Sequence, residues 1–179
     1  MTGPGQATVH ASAVLVGDRA VLIRGPSGAG KSRLAFDLIL AGRAGQIPAA
    51  RLVGDDRVTL EVIENQLIVR PANVLAGLIE IRGLGIRRCA FAQEAIAGLV
   101  VDLDAPDAER LPPPEALRTT ISGLELPRIP IQTGYAPLPV VVASLTTTAG
   151  YPEGDPEVRH LGDCSKGFGN HISPTIATE

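Results

Sequence analysis

The chain has 179 residues, enough for one compact domain, and its content of 45% hydrophobic and 20% charged residues is typical of a globular protein. No apolar run approaches the roughly 20 residues that cross a bilayer, and only 3% of residues are aromatic, so the sequence excludes a membrane span and argues against stacking on nucleic-acid bases. The net charge of -3 arises after Gly150, where five acids face two bases; the preceding charges balance and favour neither nucleic acid nor an anionic membrane.

The start of the chain and its cysteines bear on its cellular compartment. Met1–His10 has neither the basic region nor the apolar region of a secretory signal. Cys89 and Cys164 are far apart and lie in no metal-binding spacing, so we expect free thiols in a reducing compartment. Together these features predict a cytoplasmic protein.

The first predicted element is a β-hairpin. Val9–Val16 is rich in β-branched and small apolar residues, Gly17–Asp18 is a turn pair, and Arg19–Arg24 is again apolar. If Gly17–Asp18 forms a two-residue loop, continuing the register places His10 opposite Gly25. We therefore expect the hairpin to bring His10 to the segment that begins at Gly25.

The elements that follow predict an α/β domain with a mixed sheet. Apolar residues at helical spacing from Lys31 predict a helix that ends at Gly42 or Gly45. The predicted strands are Arg51–Gly54, Val58–Ile63 and Leu67–Val69 joined about Asn65–Gln66, Leu78–Ile81, and Ala97–Leu103. The proline-rich stretch 102–115, with Asp102 and Asp104, predicts a solvated loop, and the residues after Thr147 predict an irregular or disordered tail.

A phosphate-binding loop (P-loop) is predicted between the first hairpin and this helix. The pattern G-x-x-x-x-G-K-[ST] is satisfied by Gly25, Pro26, Ser27, Gly28, Ala29, Gly30, Lys31 and Ser32. Glycines let backbone N–H groups turn around a phosphate, and the helix directs its positive end to the same point. Lys31, the only lysine before residue 166, would reach the transferring phosphoryl group, and the Ser32 hydroxyl would ligate Mg²⁺. The alternative is a chance glycine-rich turn.

Two adjacent carboxylates, Asp55 and Asp56, follow the next predicted strand. In phosphoryl transfer one acid usually holds Mg²⁺, and another accepts the proton of the attacking hydroxyl. The pair is therefore a candidate for both roles. The alternative is a solvated Asp-Asp turn.

Four stretches of the chain carry a family resemblance. They are His10–Ser12, the P-loop, Gly54–Val58, which is similar to A-D-D-R-V, and Glu80–Ile86, which reads E-I-R-G-L-G-I. With these stretches the chain resembles the catalytic domain of the bacterial HPr kinase/phosphorylase family, and the heptapeptide is the most specific of the four. The resemblance covers residues 8–145 and implies a short form that consists of the C-terminal catalytic domain only, with the domain over 1–148 and an acidic tail over 149–179.

The resemblance implies an HPr kinase/PEP-carboxykinase-like α/β fold with a single P-loop domain. It also implies an enzyme that uses ATP and Mg²⁺ to phosphorylate a regulatory serine of HPr, a small phosphocarrier protein of the sugar phosphotransferase system. Removal of that phosphate by phosphorolysis is the second activity of the family. By the same resemblance the chain would assemble as a homo-oligomer, a hexamer.

The resemblance also implies roles for individual residues. The metal ligands would be Ser32, Asp55 and Glu80. The Asp55–Asp56 pair would supply the general base, with Asp56 favoured by the alignment. His10 and Arg82 would complete the active site; the alternatives are an unrelated strand histidine and a structural ion pair.

Two segments depart from the family pattern. Gly42–Ala50, which connects the P-loop helix to the Asp pair, is longer than usual and predicts a bulge. Pro130–Ala136 stands in the place of P-V-R-P-G-R-N, with Gln132 and Tyr135 where that segment has arginines. The family segment is associated with dephosphorylation, and neither an amide nor a phenol can make the bidentate phosphate contact of a guanidinium. We therefore expect kinase activity with weak or absent phosphorylase activity.

Two other functions stay open at this point. A P-loop kinase for a small molecule would need a basic lid, and the sequence offers only Arg82–Arg88 as an arginine-rich stretch. A nucleotide-binding regulator without catalysis is the other alternative. The presence of Lys31, Ser32, Asp55, Asp56 and Glu80 argues against it, because a protein that has lost catalysis tends to lose such groups first.

Overall fold

The structure is a computed structural model that describes residues 8–148. These residues form a nine-stranded sheet, a two-stranded sheet and two α-helices. The strands are β1 (Thr8–Val9), β2 (Ser12–Val16), β3 (Arg19–Arg24), β4 (Ala50–Gly54), β5 (Val58–Ile63), β6 (Gln66–Pro71), β7 (Leu78–Ile81), β8 (Gly85–Arg88), β9 (Ala95–Leu103), β10 (Arg118–Ile121) and β11 (Leu124–Ile131). The helices are α1 (Lys31–Arg43) and α2 (Pro137–Thr146). The predicted tail over 149–179 lies outside the described residues.

Strand β9 is at the centre of the large sheet. The strand order is β1-β5-β6-β9-β3-β2-β4, and β11, which pairs with β10, also pairs with β9. β3 and β11 run parallel to β9, whereas the other described pairs are antiparallel, so the predicted mixed sheet is confirmed. The C-terminal ends of the three parallel strands β3, β9 and β11 lie on the same side of the sheet, and α/β folds bind their ligands at such strand ends.

Apolar layers cover both faces of the large sheet. On one face Leu34 of α1 and Leu145 of α2 pack in the same cluster as Ile23. On the other face Leu22 packs with Val100 and the apolar residues of β5 and β6. Because successive side chains of a strand point to opposite faces, β3 supplies residues to both layers, and its four central residues are fully buried. This double burial fixes the strand that leads into the P-loop.

The first hairpin forms about Gly17–Asp18 as predicted, but its register does not extend to His10. The pairing of β2 with β3 ends at Ser12, and the chain before it, β1, pairs with β5. His10 therefore does not lie opposite Gly25, and that part of the prediction was wrong. The chain thus passes from pairing with β5 in β1 to pairing with β3 in β2, and His10 lies between these two strands.

The second hairpin turns one residue earlier than predicted. Pairing of β5 with β6 reaches Gln66, which leaves Glu64–Asn65 as the two-residue loop in place of Asn65–Gln66. Glu64 has φ +49° and Asn65 has φ +60°. A type I′ turn needs positive φ at both central residues, and its twist matches that of the flanking strands.

The hairpin of β10 and β11 and the helix α2 were not predicted from the sequence. Their prolines obscured both patterns, since Pro127 and Pro130 lie in β11, and Pro137 and Pro139 lie in α2. The α2 prolines fall in the first helical turn, where backbone N–H groups have no partner within the helix. Within residues 8–148, neither helix is long and apolar enough to span a membrane.

The long connection between α1 and β4 is a packed loop. A Cβ atom on Gly42 would lie 2.8 Å from the backbone nitrogen of Ala50, so the helix end and the start of β4 touch. Ile47, within the connection, is buried in the helix-side core. The extra residues therefore fold back onto the core at the C-terminal end of α1, whereas the P-loop lies at its N-terminal end.

Candidate active site

The P-loop leaves the end of β3 and leads directly into α1. Gly25 has φ +147°, and a Cβ atom there would lie 2.9 Å from the carbonyl oxygen of Leu103 at the end of β9. Glycine is therefore required at this position, both for its backbone conformation and for the close approach to β9. α1 begins at Lys31, so the N–H groups of its first turn adjoin the loop, as an anion site requires.

The side chain of Lys31 is held inside the loop. Its Nζ donates hydrogen bonds to the carbonyl oxygens of Gly25 at 2.9 Å and Pro26 at 2.8 Å. Burial lowers the pKa of Lys31, and the charges of Asp56 and Asp55 oppose that shift. Within residues 8–148, no carboxylate forms an ion pair with this ammonium group. In this part of the chain the Lys31 ammonium group is therefore bonded to neutral carbonyl oxygens, and its charge is available to a phosphate.

The two adjacent aspartates occupy different environments. The side chain of Asp55 is buried, its Oδ1 accepts a hydrogen bond from the Ser12 hydroxyl at 2.6 Å, and its Oδ2 accepts one from the backbone N–H of Glu80 at 3.1 Å. Asp56 is exposed, has φ +64°, and places Oδ1 3.2 Å from Nε2 of His10. Asp55 thus joins β2 to β7, whereas Asp56 is accessible to a substrate.

An open cleft of about 790 Å³ brings most of the predicted site residues together. The predicted residues in its lining are His10, Ser27, Gly28, Gly30, Lys31, Ser32, Asp56, Glu80 and Arg82. The lining does not include Gly25, Pro26, Ala29 or Asp55. His10 therefore reaches the P-loop side of the molecule although its predicted strand register is wrong.

The cleft offers oxygen ligands suited to Mg²⁺. Among the described residues, no three His, Cys, Asp or Glu side chains form a metal site made by the protein alone. Mg²⁺ usually takes one or two protein oxygens and completes its shell with water and substrate phosphates. The Ser32 hydroxyl and the Glu80 carboxylate line the cleft beside the P-loop, so the donor chemistry fits that ion.

Strands β7 and β8 form a separate hairpin that supplies one wall of the cleft. Glu80 and Arg82 lie on or next to β7, and every residue of β8 is exposed. Among residues 8–148, Arg82 makes no ion pair, so the structural pair considered above is not found in this part of the chain. At the base of the hairpin, the Cys89 N–H donates to the Gly77 carbonyl at 2.9 Å.

Three polar residues near the site received no role from the sequence. Ser12 holds Asp55, as described above, and Arg24 and Asp102 form an ion pair at the ends of β3 and β9. The prediction of a solvated loop at Asp102 was wrong, because that side chain is 15% exposed and bonded to two arginines. The sequence does show a charged residue near the end of each of the two buried strands, Arg24 on β3 and Asp102 on β9. That pattern predicts an ion pair only when β3 and β9 are known to be neighbours in the sheet.

The segment that departs from the family pattern forms a turn at the same edge of the sheet. The Tyr135 N–H donates to the Gln132 carbonyl at 3.0 Å, just after β11. Both side chains are exposed, and neither is in the lining of the cleft. This turn carries no positive charge.

Residues 4–141 match the family model described as HPr Serine kinase C-terminal domain. The HPr kinase/phosphorylase of Enterococcus faecalis is 37% identical over 141 residues, which cover 71% of this chain and 43% of that protein. The HPr kinase/phosphorylase of Clostridium beijerinckii is 42% identical over 78 residues, which cover 44% of this chain and 24% of that protein. The chain thus spans less than half the length of these curated relatives.

A solved structure confirms the predicted fold class. The structure of the HPr(Ser) kinase/phosphatase from Coxiella burnetii matches with a TM-score of 0.62 and 30% sequence identity, covering 78% of this chain and 93% of that chain. Both proteins share the mixed α/β architecture described above. On this fold, and on the family match over residues 4–141, the chain belongs to the HPr serine kinase C-terminal domain family.

Proposed function

We propose that this chain is an ATP- and Mg²⁺-dependent serine kinase that phosphorylates the regulatory serine of HPr. The observation that carries the proposal is the convergence of Lys31 with the His10–Asp56 pair in one cleft. The substrate is taken from the names of the relatives, which are HPr kinase/phosphorylases. The proposal includes a cytoplasmic location and a homo-oligomeric, by resemblance hexameric, assembly.

The P-loop would bind the phosphates of ATP. Its backbone N–H groups and the N-terminal end of α1 offset negative charge, and a phosphate oxygen would replace the two carbonyls that now accept from Lys31. When bound, Mg²⁺ neutralises charge on the phosphates, and Ser32 and Glu80 would hold it. The family resemblance also makes Asp55 a metal ligand, but its side chain is buried and both of its oxygens accept protein hydrogen bonds. We therefore propose that Asp55 supports the site by fixing the backbone of Glu80 and that it does not bind the metal directly.

Asp56 would accept the proton of the substrate serine. As the serine oxygen forms its bond to the γ-phosphorus, the bond between that phosphorus and the ADP oxygen breaks, and the proton passes to the Asp56 carboxylate. His10 contacts Oδ1 of Asp56 and would orient the carboxylate. The Arg82 guanidinium, in the cleft lining, would offset charge on the transferred group.

The reverse reaction would be weak in this chain. Phosphorolysis brings inorganic phosphate beside a phosphoserine, so positive groups must offset the repulsion of two anions. The turn of Gln132 and Tyr135 supplies none. Kinase chemistry begins from a neutral hydroxyl and tolerates this loss better.

The test incubates the purified chain with Mg-ATP and HPr and measures phosphoserine by mass, with an HPr that lacks the serine as control. Asp56→Asn should keep ATP binding while transfer falls by about 10² or more, the usual scale for loss of a general base. Lys31→Ala should abolish transfer, and Asp18→Asn, in the remote first turn, should not change it. If Asp55→Asn shows the pattern expected for Asp56→Asn, the base is Asp55.

Two results would redirect the proposal. ATP binding without transfer to any HPr would favour a nucleotide-binding regulator. Transfer from ATP to a small hydroxyl compound, with HPr unmodified, would favour a small-molecule kinase.

A further inference from the structure

An ion network links the three parallel strands β3, β9 and β11 beside the P-loop. Arg24, the last residue of β3, is the register partner of Asp102 on β9. Its Nε donates to Asp102 Oδ1 at 2.7 Å and its Nη2 to Oδ2 at 2.8 Å, which is the bidentate geometry of the strongest ion pairs. The same Nη2 lies 3.3 Å from the Thr119 hydroxyl of β10.

The carboxylate of Asp102 is shared with a second arginine. Arg128 on β11 donates through Nε to Asp102 Oδ2 at 2.5 Å. Its two Nη atoms donate to Asp107 at 2.6 and 2.9 Å, and Nη1 also donates to the Ala116 carbonyl. Asp102 therefore connects β3 to β11 across β9, with two cations and two anions in balance.

The inner part of this network is shielded from water. The side chains of Asp102 and Arg128 are 15% and 12% exposed, whereas Asp107 is 49% exposed. Burial alone would raise the pKa of Asp102, but the bonds and charges of Arg24 and Arg128 outweigh it and hold that pKa below its ordinary value. Removing one partner would leave a largely buried charge uncompensated, which destabilises a folded protein strongly.

The network is linked to the P-loop through the backbone. Arg24 immediately precedes Gly25, and Gly25 packs against the Leu103 residue that follows Asp102. The Gly25 carbonyl in turn accepts one of the two hydrogen bonds of the Lys31 ammonium group. A displacement of Arg24 relative to Asp102 would therefore shift both the first turn of the loop and the position of Lys31.

We propose that Arg24 and Asp102 are positioning residues for the P-loop: their ion pair holds Gly25 and Lys31 where nucleotide phosphates bind. This inference rests on the proposed function to the extent that the loop binds ATP. It does not depend on which molecule receives the phosphoryl group.

The test compares Asp102→Asn with Asp107→Asn by titrating each with Mg-ATP. The Asn amide is uncharged and has one acceptor oxygen, so it cannot accept all three hydrogen bonds that Arg24 and Arg128 donate to the carboxylate, and its NH₂ group would face one of their N–H donors. Asp102→Asn should therefore raise the Kd for Mg-ATP about tenfold or more, the scale of a small displacement of binding groups. Asp107→Asn keeps the Arg24–Asp102 pair and alters an exposed contact of Arg128, so its Kd should stay within about twofold of the unmodified value.

A stability control separates positioning from general destabilisation. Val69→Ala opens a cavity in the core on β6, away from the loop, and should lower the denaturant midpoint without changing the Kd for Mg-ATP. If Asp102→Asn does not fold, Arg24→Lys keeps the charge but loses the bidentate contact and should also raise the Kd. A folded Asp102→Asn or Arg24→Lys variant that binds Mg-ATP as tightly as the unmodified chain overturns the inference.

The titration also separates this inference from the proposed function. If the unmodified chain binds Mg-ATP and the variants bind it weakly, the positioning role is supported even when no phosphate reaches HPr. If the unmodified chain does not bind Mg-ATP, the positioning role is refuted together with the proposed kinase.

Discussion

Replacing Ser12 by alanine tests whether the buried hydroxyl stabilises the Asp55 carboxylate. Ser12 is fully buried and Asp55 is 3% exposed, so water cannot take the place of the lost donor. The hydroxyl provides one of the two hydrogen bonds to that carboxylate, at 2.6 Å, and the other comes from the Glu80 backbone. A hydrogen bond to a charged group contributes about 1.5–3 kcal/mol, so we expect Ser12→Ala to lower the free energy of unfolding by about 2 kcal/mol.

The measurement is urea unfolding at neutral pH, with thermal unfolding as a second readout. For a chain of this size, a loss of about 2 kcal/mol corresponds to a Tm lower by about 4–8 °C. Ser144→Ala is the matched control, because the Ser144 hydroxyl only donates to the Val141 carbonyl within α2. That control should cost less than about 0.5 kcal/mol. Equal stabilities for the two variants would refute the assigned role of Ser12.

Three further predictions follow from the loop, the β11 turn and the ion network. Gly25→Ala should destabilise the chain by about 2 kcal/mol more than Gly28→Ala, measured by thermal unfolding. Both glycines have positive φ, so both variants carry backbone strain. Only a Cβ atom at Gly25 would meet the backbone of β9, at 2.9 Å, whereas one at Gly28 would meet nothing within 4 Å. Gln132→Arg should increase the phosphate-dependent dephosphorylation of phosphoserine-HPr, which should be slow in the unmodified chain. The pKa of Asp102 is lower in the folded state than in the unfolded chain, so the contribution of its charge to stability is complete above about pH 4 and is lost as the pH falls further. The difference in urea midpoint between the unmodified chain and Asp102→Asn should therefore become smaller below that pH.

Each of these predictions has a contrary outcome. Equal melting temperatures for the two glycine variants would show that the loop can move away from β9. Rapid dephosphorylation by the unmodified chain in millimolar phosphate would show that another arginine does the work of the missing pair. A gap that stays constant from pH 7 to pH 3 would show that the charge of Asp102 contributes nothing to folding.

Local sequence patterns predict much of this fold. Periodicity or turn residues within a short window predict β2, β3, α1, β4 and β7. The family resemblance assigns Lys31, Asp56 and Glu80 to one site, and all three line the same cleft. Proline at strand and helix positions hid β11 and α2, because its usual effect is to end such elements.

Contacts between remote strands could not be predicted in this way. Ser12 and Asp55 are 43 residues apart, and Arg24 and Asp102 are 78 residues apart. Each residue alone reads as an ordinary polar group at the end of an apolar run. Only the strand order makes them partners, and that order depends on the packing of the whole sheet. The same reason explains the wrong register at His10, where the chain leaves one strand partner for another.

The central place of β9 has a consequence for the synthesis of the chain. β3 and α1 leave the ribosome before β9 does, and the strand that covers the second edge of β3 is not complete until residue 103 has been made. Until then an apolar strand with unpaired N–H and C=O groups is open to pairing with other nascent chains. A fragment that stops before β9 would keep the entire P-loop motif but leave this edge of β3 unpaired, so we expect it to aggregate and not to serve as a small nucleotide-binding module.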